Sequence, residues 1–367
     1  MSSKDSSHPN AAQPAKAAES NLCAATLALF AFCITNIGLN EFNQWALKKN
    51  QWPGFEFPFF YTMFHMVTSA LSSYLLAACV VKPALGSPSF AQLWEYKFGL
   101  LPLGILTFFS ASLSNAGLTN VSLFVAQAIK ATLPLPTVFF SWAFAGKSTP
   151  LIKLAVISCV CVGSVLAVWS NFSSSSVSSD SIVGIIMVLI SVLAAAMRPV
   201  IAMILMSKDS SRPQLEPTVV LVYDCGIAFV CMLITWLCKQ DERERSIAYL
   251  ADPSTRAIGW MIVAVGSITA FVFNLSCYYF VKLTSAVTVS LGGAGVKITL
   301  IIASAFQAGL HDPVSWTGVG IVIASLIAYS YLSMREEPKP TPPTQHEDPE
   351  KASSRAATER TPLNVKP

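Results

Sequence analysis

Two lysines stand inside long apolar runs: Lys130 in SLFVAQAIKATLPLPTVFFSWAF and Lys297 in SAVTVSLGGAGVKITLIIASAF. An ammonium group at the centre of a membrane helix costs roughly 2.5 to 3.5 kcal/mol on insertion scales, so such a residue persists where it faces water, a counter-charge or a substrate. Each lysine lies in the penultimate apolar segment of its half of the chain, so the pair reads as one position of a duplicated unit used twice. Two ammonium groups on one polar cavity would bind an anion, and placement near the membrane midplane makes that anion cargo.

Other polar residues can extend such a site. Arg198 in AAAMRPVIAMIL is a third intramembrane cation, and Asp224 in VLVYDCGIAF can either neutralise it or leave it to a substrate. Asn36, Asn40 and Asn43 are spaced four and three apart, on one helix face, and Ser114 with Asn115 adds polar groups elsewhere. They serve equally as a cavity wall or as hydrogen bonds between helices. Tyr223, Phe273, Tyr278 and Tyr279 offer faces on which a sugar or base could stack. Glu41 can gate or pair with Lys48 or Lys49, and His65 reads as a neutral packing residue. The nine cysteines lack ligand-like spacing and read as packing thiols. AGKST at 145–149 resembles the end of a phosphate-binding loop, but Ser141 replaces its first glycine.

The elements that position these residues must be membrane helices. With 367 residues, 53% hydrophobic and only 12% charged, the chain is too apolar for a soluble domain of its size, and the net charge of +4 does not suggest nucleic acid. Ten spans of about 20 residues are expected, near 22–46, 58–80, 98–118, 122–145, 151–170, 182–206, 217–238, 257–281, 284–309 and 314–333. The third and fourth are divided by a hairpin turn at Thr119 and Asn120. Fifteen of the 24 lysines and arginines fall on the side of the N-terminus and six on the other, so both termini are expected in the cytoplasm. The organisation read is a disordered N-terminus at 1–21, a five-helix repeat at 22–170, a luminal loop at 171–181 with a sequon at Asn171, a second repeat at 182–333, and a disordered tail at 334–367. No cleavable signal or transit peptide is evident. Five spans per half is odd, so the repeats must be inverted, which puts Lys130 and Lys297 on opposite walls of one cavity.

The runs NIGLNEFNQWALK, NAGLTNVSLFVAQAIKATLP and LTSAVTVSLGGAGVK resemble the triose-phosphate and nucleotide-sugar transporter branch of the drug/metabolite transporter superfamily, over roughly residues 22 to 333. The resemblance implies an all-α membrane protein of ten transmembrane helices that exchanges a phosphorylated or nucleotide-linked sugar for a phosphate-bearing counter-substrate. It implies substrate-binding roles for Lys130 and Lys297, aligns Ser114 with a hydroxyl of organic-phosphate members, and aligns Arg198 with an arginine of some nucleotide-sugar-like members. Phe273-Asn274 stands where phosphate translocators carry Tyr-Asn, so a hydroxyl contact is lost here. Ile298 replaces the arginine that follows the ninth-helix lysine in plastid translocators, so a Lys-Arg clamp on a small phosphate is missing. Ile298→Arg is therefore expected to shift preference toward sugar phosphates. Gly292, Gly293 and Gly295 lead to an expectation of a loose or unwound helix before Lys297.

Together these readings favour an antiporter of a nucleotide sugar against a nucleoside monophosphate, with a sugar-phosphate/inorganic-phosphate antiporter second and a non-transporting receptor or structural protein as the rival class. The substrate-binding set is Lys130, Lys297, Arg198, Ser114, Asn115, Asn40, Asn274 and Tyr223. No cofactor or metal is expected, a homodimer is left open, and the Golgi or endoplasmic reticulum is favoured over a plastid envelope. An enzyme is disfavoured: Tyr223-Asp224 lacks the Gly-x-Gly-Asp partner of an aspartyl intramembrane protease, and neither HExxH nor a GxSG serine motif occurs.

Overall fold

The computed structural model describes residues 12–47, 52–83, 86–118, 123–167, 179–207, 213–308 and 312–335, and these contain helices and no strand. In chain order the helices are α1 (Ala12–Leu47), α2 (Pro58–Leu76, continued by a π-helical turn over Ala77–Val81), α3 (Phe90–Glu95), α4 (Lys97–Leu118), α5 (Leu123–Ala131), α6 (Pro134–Ala145) and α7 (Leu151–Leu166). There follow α8 (Ser179–Met206), α9 (Pro217–Cys238), α10 (Gln240–Ala251), α11 (Pro253–Leu283), α12 (Ala286–Ala308) and α13 (Pro313–Arg335). The described residues up to Tyr329 form one compact unit. The second unit, 330–367, is described over 330–335, which is helical, with Arg335 above the Tyr331 ring at 4.7 Å.

Among the described residues nine helical segments are long and apolar enough to cross a membrane, with α5 and α6 sharing one over Ala126–Ala145. The tenth expected span is represented by α7, whose 16 residues cover only about 24 Å. The turn at Thr119 and Asn120, the sequon at Asn171 and the tail beyond Arg335 lie outside the described residues. Helix α1 already begins at Ala12, inside the segment read as a disordered N-terminus, where the run AQPAKAAES has strong helix formers.

Proline sets several starts. Pro58, Pro217 and Pro253 each open their helices, where a missing N–H costs nothing. Gly146, with φ of 62°, closes α6 in the left-handed conformation that glycine adopts without strain. Within the bundle α4 packs along α8 and α9, α2 along α9 and α11, and α1 along α11. Helix α12 packs against α1, α5 and α6, so the segments bearing the two lysines are neighbours.

Helices α7 and α13 approach backbone to backbone. A Cβ added at Gly318 would stand 2.3 Å from the Ala167 nitrogen and 2.6 Å from the Gly163 oxygen, with no side chain free to yield. Gly318→Val is expected to separate these helices and destabilise the protein by about 1–3 kcal/mol or more. Thermal unfolding of the purified protein in detergent would show this; an unchanged midpoint would contradict the close approach.

The short helix α10, between two spans, supplies an unforeseen lock. Phe57, at the start of α2, offers no side-chain cap, and the Phe59 and Phe60 N–H groups instead donate to Glu242 Oε1 at 2.7 and 3.0 Å. Glu242 is buried, and desolvation raises its pKa above the ordinary 4.5 despite those donors. A carboxyl whose folded pKa is raised contributes stability that is complete below 4.5 and is lost as pH rises through the folded value. Glu242→Gln keeps an oxygen for both N–H groups and removes the charge. Its thermal midpoint should therefore depend less on pH than that of the parent from about 4.5 upward, and an identical pH profile would exclude Glu242 as the source.

Candidate functional site

Lys130 sits where its helix breaks. Pro134 and Pro136 have no N–H to continue the ladder, so α5 stops at Ala131 and α6 restarts at Pro134. The Leu133 N–H reaches the Lys130 oxygen at 3.3 Å, and the Leu135 N–H reaches the Thr132 oxygen at 3.2 Å. The first turn of α6 thus has no spare N–H with which to bind an anion, because its prolines lack one and Leu135 is engaged. Any anion here must be held by side chains.

Lys297 lies at the midpoint of α12, eleven residues from either end. The helix is continuous through Gly292, Gly293 and Gly295, contrary to the loose stretch expected from the sequence. Glycine lowers helix propensity by about 1 kcal/mol, but in hydrocarbon an open turn would leave backbone groups without any partner. Gly292 also packs: a Cβ there would lie 3.3 Å from the Phe280 ring and 3.5 Å from that of Phe32. Phe32 stacks in turn on Phe273, with ring centroids 5.7 Å apart.

The two lysines meet on one site. Both are half-buried, and α12, which carries Lys297, packs against α5, which carries Lys130. Lys297 Nζ reaches Asn40 Oδ1 at 3.5 Å, while Asn40 Nδ2 donates to the Asn36 side-chain oxygen at 2.8 Å, so α1 forms a third wall. Among the described residues neither ammonium pairs with a carboxylate. Seven residues beyond Lys130 and seven before Lys297, the buried hydroxyls of Thr137 and Ser290 bond at 2.8 Å and join α6 to α12. Gln127, three residues before Lys130 and so near its helix face, has a buried Oε1 with no partner among the described residues. Sequence reasoning passed over Gln127, although the three-residue offset from the lysine could have revealed it.

The other expected residues divide. Arg198 pairs with Asp224 at 3.1 Å. Asn274 is buried and donates to Ser69 Oγ at 3.4 Å. The Tyr223 hydroxyl accepts from the Ser89 N–H at 2.7 Å and lies 2.9 Å from Gln92 Oε1, which ties α9 to the start of α3 rather than to the lysines. Asn43 accepts from the Tyr61 hydroxyl at 2.8 Å, an interhelical bond. Ser114 is half-buried on α4, which also carries Asn115. The site has the makings of an anion-binding centre.

The model of the Triose-phosphate Transporter family matches residues 24–331. The chain belongs to the triose-phosphate transporter family. Its curated relatives include a probable sugar phosphate/phosphate translocator of Arabidopsis thaliana, 21% identical over 85% of this chain and 89% of its own length. Another protein of that description is 26% identical over 83% of this chain and 93% of its own. UDP-uronic acid transporter 1 of Arabidopsis thaliana is 26% identical over 82% of this chain and 93% of its own. A solved crystal structure shares the fold with a TM-score of 0.60 at 14% identity, covering 86% of this chain and 99% of that one. This triose-phosphate transporter family member is accordingly a multi-pass integral membrane transporter and not an enzyme.

Proposed function

We propose that the protein is an antiporter that carries a nucleotide-linked sugar in one direction and a nucleoside monophosphate in the other, by alternating access around Lys130 and Lys297. The observation that carries this reading is the pair of ammonium groups on two packed helices, α5 and α12, unpaired with any carboxylate among the described residues. A bound phosphate ester would neutralise both. An empty carrier would have to take two uncompensated charges through an occluded state, at several kcal/mol each, so return is coupled to a second anion. Asn40 orients Lys297, Arg198 adds a third cation, and Asn274, Ser114 and Asn115 complete the proposed set, from which Tyr223 is left out because its hydroxyl is held by Ser89 and Gln92.

The preference for a nucleotide rests on Ile298. It is 2% exposed and packed in an apolar cluster, so no cation follows Lys297 to grip a small phosphate, and a larger ligand can recover affinity through stacking and base contacts. The UDP-uronic acid transporter among its relatives supports this choice. The sugar-phosphate/inorganic-phosphate reading stands second, supported by the names of the other relatives. Both termini are proposed to be cytoplasmic, in a Golgi or endoplasmic reticulum membrane.

Counterflow into liposomes separates the two. Internal nucleoside monophosphate should drive uptake of a nucleotide sugar better than internal inorganic phosphate does. Exchange of triose phosphate for inorganic phosphate, with no nucleotide transport, would promote the second reading.

A further inference from the structure

A second polar centre lies in the bundle, built by α4, α8, α9 and α11. Asp224 on α9 is fully buried and accepts from three other helices: from Arg198 Nη2 of α8 at 3.1 Å, from the Tyr278 hydroxyl of α11 at 2.6 Å, and from Thr107 Oγ1 of α4. Tyr278 and the arginine share Oδ2, while Thr107 takes Oδ1. The carboxylate is thus held from both sides. A pair serving stability alone would gain most from the two parallel bonds that a guanidinium fork can make to a carboxylate. Here the fork is engaged through one nitrogen. Arg198 Nε is buried with no partner among the described residues, while the side chain as a whole keeps 25% exposure. Its helix also packs against both α5 and α12, which bear Lys130 and Lys297.

The proline next to it contributes. Pro199 lies inside α8 and has no N–H, so the ladder is interrupted at the turn that carries the arginine. A guanidinium on such a turn needs an outside anchor if it is to keep one orientation, and Asp224 provides it.

We infer that Asp224 is a positioning residue: fixed by Tyr278 and Thr107, it holds Arg198 by one nitrogen and leaves the rest of the guanidinium to meet a phosphate of the transported substrate. This rests on the reading of the cargo as a phosphate-bearing anion. It adds a division of labour, in which the lysines supply charge and Arg198 supplies a directed fork whose aim depends on three residues that do not touch the substrate. The class of ligand best served is a diphosphate-linked sugar, since a second phosphate gives the arginine a partner that the lysines do not already hold.

The test uses the full-length protein in liposomes, with UDP-glucose and inorganic phosphate as probes, so that either reading of the cargo supplies a measurable uptake. Apparent KM and maximal rate are compared for the parent, Tyr278→Phe, Arg198→Lys and the double variant. Tyr278→Phe is chosen because it keeps the ion pair and one anchor, whereas Asp224→Asn would leave the arginine unpaired. Tyr278→Phe should raise KM at least about threefold and Arg198→Lys at least about tenfold, with maximal rates within about twofold of the parent, because a lysine keeps the charge but loses the fork. The double variant should be no worse than Arg198→Lys alone, the non-additivity expected when one residue acts through another. Unchanged KM in both single variants, or additive losses in the double, would overturn the inference even if Lys130→Ala abolishes uptake. Retention of uptake by Lys130→Ala would overturn the reading of the site and this inference with it.

Discussion

Lys130→Ala and Lys297→Ala should each abolish exchange while leaving expression and thermal unfolding nearly unchanged. Loss of a charged contact in a desolvated site costs about 2–5 kcal/mol, which is roughly thirtyfold to several-thousandfold in affinity. The fold is spared for a separate reason. Neither ammonium has a carboxylate partner among the described residues, so its removal leaves no opposite charge buried alone and relieves a desolvation cost. Asp224 behaves in the opposite way: Asp224→Ala would strand Arg198, and breaking a buried pair costs about 3–5 kcal/mol. Two measurements on the same preparations, uptake into liposomes and the thermal midpoint, separate the cases. Wild-type uptake of every anionic substrate by either lysine variant would end the central-site reading.

The lysines were legible because a charge inside an apolar run is conspicuous in one dimension. Their segments, the all-helical class and most span boundaries follow from the same contrast. What the sequence left open was who meets whom. Thr107 and Asp224 are 117 residues apart, and Glu242 caps a helix start 183 residues away, so no spacing rule links them. Asn36, Asn40 and Asn43 share a face as expected, yet one bonds to its neighbour, one also meets Lys297, and one meets Tyr61. The sequence offers Tyr223 as a stacking face, while its hydroxyl is committed to Ser89 and Gln92. Propensity alone favours a loose stretch at the glycines before Lys297, whereas packing of Phe32 and Phe280 against Gly292 helps to hold the helix.

Ile298→Arg is where the structure changes the expected result most. From the sequence, an arginine after Lys297 restores a phosphate clamp and shifts preference toward sugar phosphates. One helical step is about 100°, however, and it turns residue 298 away from the face of Lys297. Ile298 is 2% exposed in a cluster with Ala128, Val138, Ile157, Leu291, Ala294 and Ile301, all apolar. An arginine there would be set among these apolar side chains with little room, so charge burial and overpacking add. The charge alone costs about 3 kcal/mol at midspan, and overpacking a further 1–3 kcal/mol. The expected outcome is therefore loss of folded protein before any change in selectivity, seen as reduced monodisperse yield and a lowered thermal midpoint. Ile298→Met, which conserves volume, should cost less than about 1.5 kcal/mol and keep the parent's substrate preference. A well-folded Ile298→Arg protein with enhanced sugar-phosphate exchange would show that α12 can rotate residue 298 into the site. The preference for nucleotide-linked cargo would then rest on the missing cation alone and no longer on the packing that excludes one.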